Sequence, residues 1–400
     1  MVVCLLPLVS HAHEIGARIG GAKSQGLTRA GAGAQASMRG AGRKAARKPR
    51  GVGFHWSGAI LADISHGIQG GLNDNTTLAQ YLLDLRATVK TARLLGWPGG
   101  TFFVDFQDHH GPSVQVRQIG SIQDPDNMDA YATTGIDRAW YQQDLAGRRL
   151  RLRVGLMYVD DQFLTVPYAR DFVSLDFSSD ASLSTFVLPT YPRGAFGADL
   201  FIYPTRSLYL AAGLFNGHLY RVLPYDPGGR FFITQAGYKG HIAGLPGVLE
   251  LGAWRHTGTF PSFAGGVQHR AQGWYLVAGL TLFRSRKEAA NTERKVGVFF
   301  QYGAGPPTVA LIRRHMGAGI VWRGAFPGRP RDSLGLGVSE ARLTPEAGLT
   351  FGSETVYEAY YRLFVARSLS IEPDLQYWHH PGGNGTPSAL LALIRTQWNF

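Results

Sequence analysis

Cysteine is nearly absent: Cys4 is the only one in 400 residues. It lies within the first few positions, so the rest of the chain can build neither an internal disulfide nor a cysteine metal site. Long hydrophobic runs are missing too. No stretch approaches the ~20 apolar residues that a membrane helix requires, and the longest runs, such as Trp274 to Phe283, have strand length and end in charge. Charged residues make up only 17%, and neither a phosphate loop nor a strand-turn-helix nucleophile elbow occurs. These absences exclude a helical membrane protein and a disulfide scaffold, and they remove the usual signatures of a hydrolase or a nucleotide-binding enzyme.

What is present is a strand composition. The chain is 44% hydrophobic and 12% aromatic, with 52 glycines, roughly twice the ~7% of average usage. Many glycines and aromatics spread over short segments suggest repeated hairpins. The formal charge of +12 is uneven: residues 1–50 hold nine Lys/Arg and one acid, and so carry +8 of it. The same segment has no Phe, Trp or Tyr, which makes it a poor candidate for a folded core. Val2 to Val9 resembles the apolar core of a signal peptide, and Ser10-His11-Ala12 is an acceptable cleavage site. Residues 1–53 are therefore read as a leader, a signal peptide followed by a disordered basic segment. The run Arg43 to Arg50 belongs to that leader, and no nucleic-acid partner is expected.

From residue 54 onward, segments of 8 to 12 residues alternate and then break at Gly, Pro, Asn or Asp. In Arg149 to Leu156, Leu150, Leu152, Val154 and Leu156 share one face, and Arg149, Arg151 and Arg153 the other. Leu369, Ile371, Pro373, Leu375 and Tyr377 likewise oppose Ser370, Glu372, Asp374 and Gln376. The chain ends the same way, with Leu390, Ala392, Ile394, Thr396, Trp398 and Phe400 on one face. A soluble sandwich would turn the apolar face inward, whereas a membrane barrel turns the polar face into its lumen. Some 350 residues without a linker exceed a usual sandwich domain. At about 22 residues per strand and connection they give roughly 16 strands, a ring wide enough for an aqueous channel. Aromatics near segment ends, among them Trp97, Phe102, Phe103, Trp140, Trp254, Trp274, Trp322, Tyr360, Trp378 and Trp398, are read as interface girdles.

Several short stretches, in order, resemble one family. Leu94-Leu95-Gly96-Trp97-Pro98-Gly99-Gly100-Thr101-Phe102 is similar to an early strand of the carbohydrate-selective, OprB-like outer-membrane porins. Trp140-Tyr141-Gln142-Gln143-Asp144-Leu145, Arg149 to Gly155 and Asp160-Asp161-Gln162-Phe163 resemble that family's next block. Tyr191 to Ala198, Leu214 to Gly217, Gly252 to Gly258 and Gly324 to Asp332 continue it. Glu354 to Tyr361, Ile371 to Tyr377 and Pro381-Gly382-Gly383 close it. The family's usual opening segment has no counterpart before the first strand, expected near Phe54 to Ile60.

The resemblance implies an all-β fold, a single transmembrane antiparallel barrel over residues 54–400, and passive diffusion of glucose and other sugars across the bacterial outer membrane. Mono- and disaccharides, outer-membrane lipid and the assembly machinery are the implied partners, the last through the terminal Phe400, and a homo-oligomer is possible. No cofactor, metal or catalysis is expected. A sugar pore needs charged groups for hydroxyls, aromatic rings for the pyranose face, and weak binding. Strand parity places Phe103, Asp105, Gln107, Arg149, Arg151, Arg153, Glu358, Arg362, Glu372 and Asp374 on the lumen, with the arginine row as first choice. Asp160-Asp161 as a glycosidase pair, Asp124 to Asp129 as a calcium loop lacking its central Gly, and His109-His110 or His379-His380 as metal ligands are better read as turns or rims. The remaining alternatives are a secreted β-rich carbohydrate-binding or adhesive domain and a non-selective porin. The wet face of Arg149 to Leu156 separates the first of these from a barrel.

Overall fold

The computed structural model describes residues 53–192, 194–218, 225–285 and 294–400; the expected leader up to residue 52 lies outside them. The alternating segments form β1 (Phe54–Gln69), β2 (Thr77–Lys90), β3 (Gly100–His110), β4 (Thr133–Leu145), β5 (Leu150–Met157), β6 (Ala195–Ile202), β7 (Leu208–Asn216) and β8 (Arg230–Ile242). They continue as β9 (Leu245–Pro261), β10 (Val267–Arg284), β11 (Lys295–Ala304), β12 (Ile312–Arg323), β13 (Ser333–Leu343), β14 (Ser353–Phe364), β15 (Leu369–His379) and β16 (Ala389–Asn399). Each strand pairs antiparallel with its sequence neighbours, and β16 returns to β1, so the sheet closes into a barrel. Closure leaves no sheet edge, which is what a strand protein in lipid requires. Among the described residues no helix is long and apolar enough to cross a membrane.

The wet-face question is answered on β5. Leu152 and Val154 are exposed on the outer wall, while Arg153 points inward and is buried. Outer-facing Ile64, Val104, Leu251, Ile320, Leu375 and Ile394 are exposed as well, so an apolar belt surrounds the ring and the closed-core alternative fails. The connections after the even-numbered strands share one rim, the turn rim, with Phe54 and Phe400, and those after the odd-numbered strands, which include the long loops 111–132 and 158–194, lie on the other. Phe400 donates its N–H to the Gly58 carbonyl and accepts from the Gly58 N–H, both at 2.9 Å. Its ring lies 5.1 Å from Trp398 and 6.2 Å from Trp56.

Two loops fold into the barrel. Residues 111–132 and 158–194 are buried along most of their length, and the second packs Phe163, Phe172, Phe177, Leu183 and Phe186 against Phe201, Phe231, Trp254, Tyr275, Phe299 and Tyr360 of the wall. This corrects the girdle reading. Trp97, Phe102, Trp274, Trp322 and Trp398 are exposed on the outside, but Phe103, Trp254, Tyr360 and Trp378 are buried and face inward, because a lumen filled on one side by a loop needs apolar partners there. Inward glycines make room for it. A Cβ at Gly337 would lie 2.5 Å from the Phe177 ring and 2.8 Å from Phe172, and one at Gly303 would overlap the Asp180 carboxylate.

Candidate functional site

Loop 158–194 packs against the wall from β6 round to β14, and loop 111–132 is bonded to β1, β2 and β14 to β16, so the wall least covered by loops is built from β3 to β6. Its polar residues come from strand parity: inward positions of strands whose outer face is apolar. On β3, Phe103, Asp105 and Gln107 all point inward. Asp105 accepts from Arg138 of β4 (Nε–Oδ2 2.8 Å), whose other arm reaches Asp161 of the loop at 2.8 Å. Gln107 donates to Asp84 of β2 at 3.0 Å, and Asp84 pairs with Arg86 at 2.7 Å. One layer towards the turn rim, the Phe103 ring stacks on Trp140 at 4.7 Å, and the Arg153 guanidinium lies over Trp140 at 5.1 Å while pairing with Asp199 of β6 at 2.6 Å. One layer further, Arg151 sits over Phe201 at 4.0 Å.

The expected arginine row is thus shorter by one. Arg149 lies in the exposed turn before β5, because the turn takes residues 146–149 and the strand begins at Leu150. Arg151 and Arg153 keep the inward parity. Arg153, Arg138, Asp105 and Asp84 are already fixed by pairing, so their side-chain entropy is lost at folding and not when a solute arrives, whereas Arg151 rests on the Phe201 ring with its Nε and Nη2 unbonded. Water reaches the half-buried Trp140, Gln142, Arg151, Asp161 and Gln162; Asp84 and Asp105 lie behind them.

The second group, on β14 and β15, faces inward as parity requires but meets the loops. Both oxygens of Glu358 accept backbone N–H groups, from Val173 at 2.6 Å and Ser174 at 3.0 Å. Arg362 donates to Asp171 of the same loop at 2.9 Å and lies 3.6 Å from Glu372. Gln376 donates to the Pro125 carbonyl at 2.8 Å and to Asp374 at 2.9 Å. Burial alone would raise the Asp171 carboxyl, but Arg362 and Arg323 hold it below the ordinary carboxylate range.

Other members of these networks were not singled out in the sequence. Asp63 of β1 pairs with Arg395 of β16 at 2.6 Å across the closing seam, and Arg395 also reaches Asp126 at 2.8 Å. Glu354 accepts N–H groups from Ile122 (2.8 Å), Gln123 (2.7 Å) and Gly382 (2.5 Å). Parity on β1, β2 and β16 could have supplied Asp63, Asp84, Arg86 and Arg395; the loop partners obey no period. Asp126 is tied to Arg395 and Gln80, and Asp129 to Ser113 and the Gln115 N–H, so both serve as loop anchors. Among the described residues no His/Cys/Asp/Glu group has the arrangement of a metal site.

Comparison with known proteins agrees with this geometry. Residues 74–400 match the family described as carbohydrate-selective porin, OprB family. Porin B of Pseudomonas aeruginosa is 20% identical, over 87% of this chain and 88% of its own length. A putative porin, QuiX, of Acinetobacter baylyi is 19% identical over 87% and 89%. The high-pH structure of Pseudomonas putida OprB, 19% identical, superposes with a TM-score of 0.80 over 87% of this chain and 94% of that one. Its low-pH structure gives 0.59. Fold and family are those of a channel, and the chain belongs to the carbohydrate-selective porins of the OprB family.

Proposed function

We propose that this barrel carries mono- and disaccharides passively across the outer membrane of a Gram-negative bacterium, with residues 1–53 serving as the export leader. Short turns on the periplasmic side and long loops outside are the usual orientation of such barrels, and Phe400 would present the assembly signal from the turn rim. The observation that carries the reading is the half-buried Trp140 ring, set between the Phe103 ring and the Arg153–Asp199 pair on the open wall. A ring offers the apolar face of a pyranose a surface, and the adjoining charged groups offer its hydroxyls donors and acceptors at fixed positions. Of the expected lumen residues, Arg151 is the proposed solute-facing one, beside the half-buried Trp140, while Phe103, Asp105, Gln107 and Arg153 are buried behind them and hold that surface in place, and Glu358, Arg362, Glu372 and Asp374 shape the constriction by seating the loops.

The test is single-channel recording in planar bilayers. Glucose should reduce the ion current in a saturable manner, and Trp140→Ala should weaken that block. Ion currents that no sugar alters would leave a non-selective porin, and an absence of channels would sink the transport reading altogether.

A further inference from the structure

The charges of this barrel are sorted along its axis. In the turns after the even-numbered strands, the described residues include eight arginines and a single acid, Asp332. In the loops after the odd-numbered strands they include two arginines, Arg117 and Arg170, against eleven carboxylates. Many of the loop carboxylates face inward and meet wall or loop partners, as with Asp126, Asp161 and Asp171. The turn arginines have no comparable supply of acids. Arg329 takes Asp332, and Arg331 turns to the carbonyls of Ala366 and Arg367 at 3.3 and 2.8 Å. Arg148, with its side chain 64% exposed, reaches only Asp144 at 3.9 Å, and Arg206, Arg294 and Arg367 are exposed.

These arginines stand where the outer apolar belt ends. Arg93 is followed by exposed Leu94, Leu95 and Trp97, Arg329 lies near exposed Phe326, and Arg367 near exposed Val365. A long basic side chain at such a boundary lays its stem on the apolar surface and holds its head at the headgroup level. The anion found in a ring at that depth is a lipid phosphate, and each arginine near an anionic surface adds attraction.

We propose that the turn rim is a docking collar for anionic phospholipid headgroups of the adjoining leaflet. This rests on the reading of the barrel as membrane-embedded, and the test separates the two. The full chain is reconstituted in phosphatidylcholine vesicles containing brominated phosphatidylglycerol or, in parallel, brominated phosphatidylcholine. Quenching of the exposed outer tryptophans, of which Trp56, Trp97, Trp322 and Trp398 stand at the turn rim and Trp274 in the belt, then reports which lipid occupies the rim, with Trp274 contributing equally in the wild type and the variant. At low salt, brominated phosphatidylglycerol should quench preferentially, with an enrichment of about fivefold for each arginine engaged. The preference should fall in 0.5 M NaCl, as expected of a screened attraction at about a 4–5 Å Debye length. It should also fall in the variant Arg148→Gln, Arg206→Gln, Arg294→Gln and Arg367→Gln, while quenching by brominated phosphatidylcholine persists. Equal quenching by both lipids in the wild type, or a preference that survives the four substitutions, overturns the collar. No quenching by either lipid overturns the membrane reading and the collar with it.

Discussion

Glu358 is a lumen-facing carboxylate by parity, and the natural expectation is that it binds solute; its two oxygens are instead occupied by the N–H groups of Val173 and Ser174. Replacing it with alanine orphans two buried amides. An unsatisfied buried donor costs about 1–3 kcal/mol, so the anchored form of this segment should lose roughly 2–6 kcal/mol relative to locally open forms. At about 1.4 kcal/mol per decade, opening rises between about thirtyfold and twenty-thousandfold. The loop as a whole stays inside, because Phe172 remains stacked on Phe177 at 4.5 Å and packed edge-on against Tyr360 at 4.9 Å and Phe299 at 5.5 Å. Glu358→Gln keeps one acceptor and presents an NH2 to the other donor, so it should fall between wild type and alanine.

Hydrogen exchange over residues 171–177 measures that opening directly, and single-channel noise reports it in the conducting barrel. Both should increase in the order wild type, Glu358→Gln, Glu358→Ala. If exchange is unchanged in the alanine variant while sugar block weakens, Glu358 acts on the solute and the anchoring argument is refuted.

Two more outcomes follow from the same seats. Burial raises the Asp129 carboxyl to about 8, above its ordinary range; the folded loop then binds more protons than the unfolded chain between about pH 4 and 8, so its stability falls as pH rises through that window. Asp129→Asn should flatten this dependence, read as amide exchange of residues 113–129 against pH, and a slope that survives the substitution would assign the dependence to another group. Gly337→Ala places a methyl 2.5 Å from the Phe177 ring, and overpacking of this kind costs about 1–3 kcal/mol; the temperature at which the barrel unfolds in a gel-shift assay should fall, whereas Val338→Ala on the outer face should change it little. A Gly337→Ala barrel as heat-resistant as the wild type would mean that the loop can yield there.

The barrel was legible because lipid imposes one rule on every strand. The alternation of Leu150, Leu152 and Val154 with Arg151 and Arg153 carries the inside–outside assignment, and the same parity places Phe103, Asp105, Gln107, Glu358, Arg362, Glu372 and Asp374 on the lumen. Parity failed at Arg149 because the turn runs one residue past the start of the alternating pattern, so that the strand begins only at Leu150, and it could not say what an inward residue meets. That depends on loops 111–132 and 158–194, whose side chains follow no period.

The consequence is a division of labour that periodicity alone could not reveal. Glu354 and Glu358 spend their carboxylates on backbone N–H groups, and Arg362 and Arg395 spend their guanidiniums on Asp171 and Asp126, so the β14–β16 wall acts mainly as a seat. Across the lumen, Arg153 and Arg138 are neutralised by Asp199 and by Asp105 with Asp161, yet stay beside the wetted Trp140 ring. Under the proposed reading, pairing at Arg153 and Arg138 would suit a pore that must release what it binds, since a neutralised pair can exchange one hydrogen bond for a sugar hydroxyl at little net gain; Arg151, held only over the Phe201 ring, is the exception on this wall. That neutralisation follows from the cross-strand register, which sets Arg153 opposite Asp199 and Asp105 opposite Arg138.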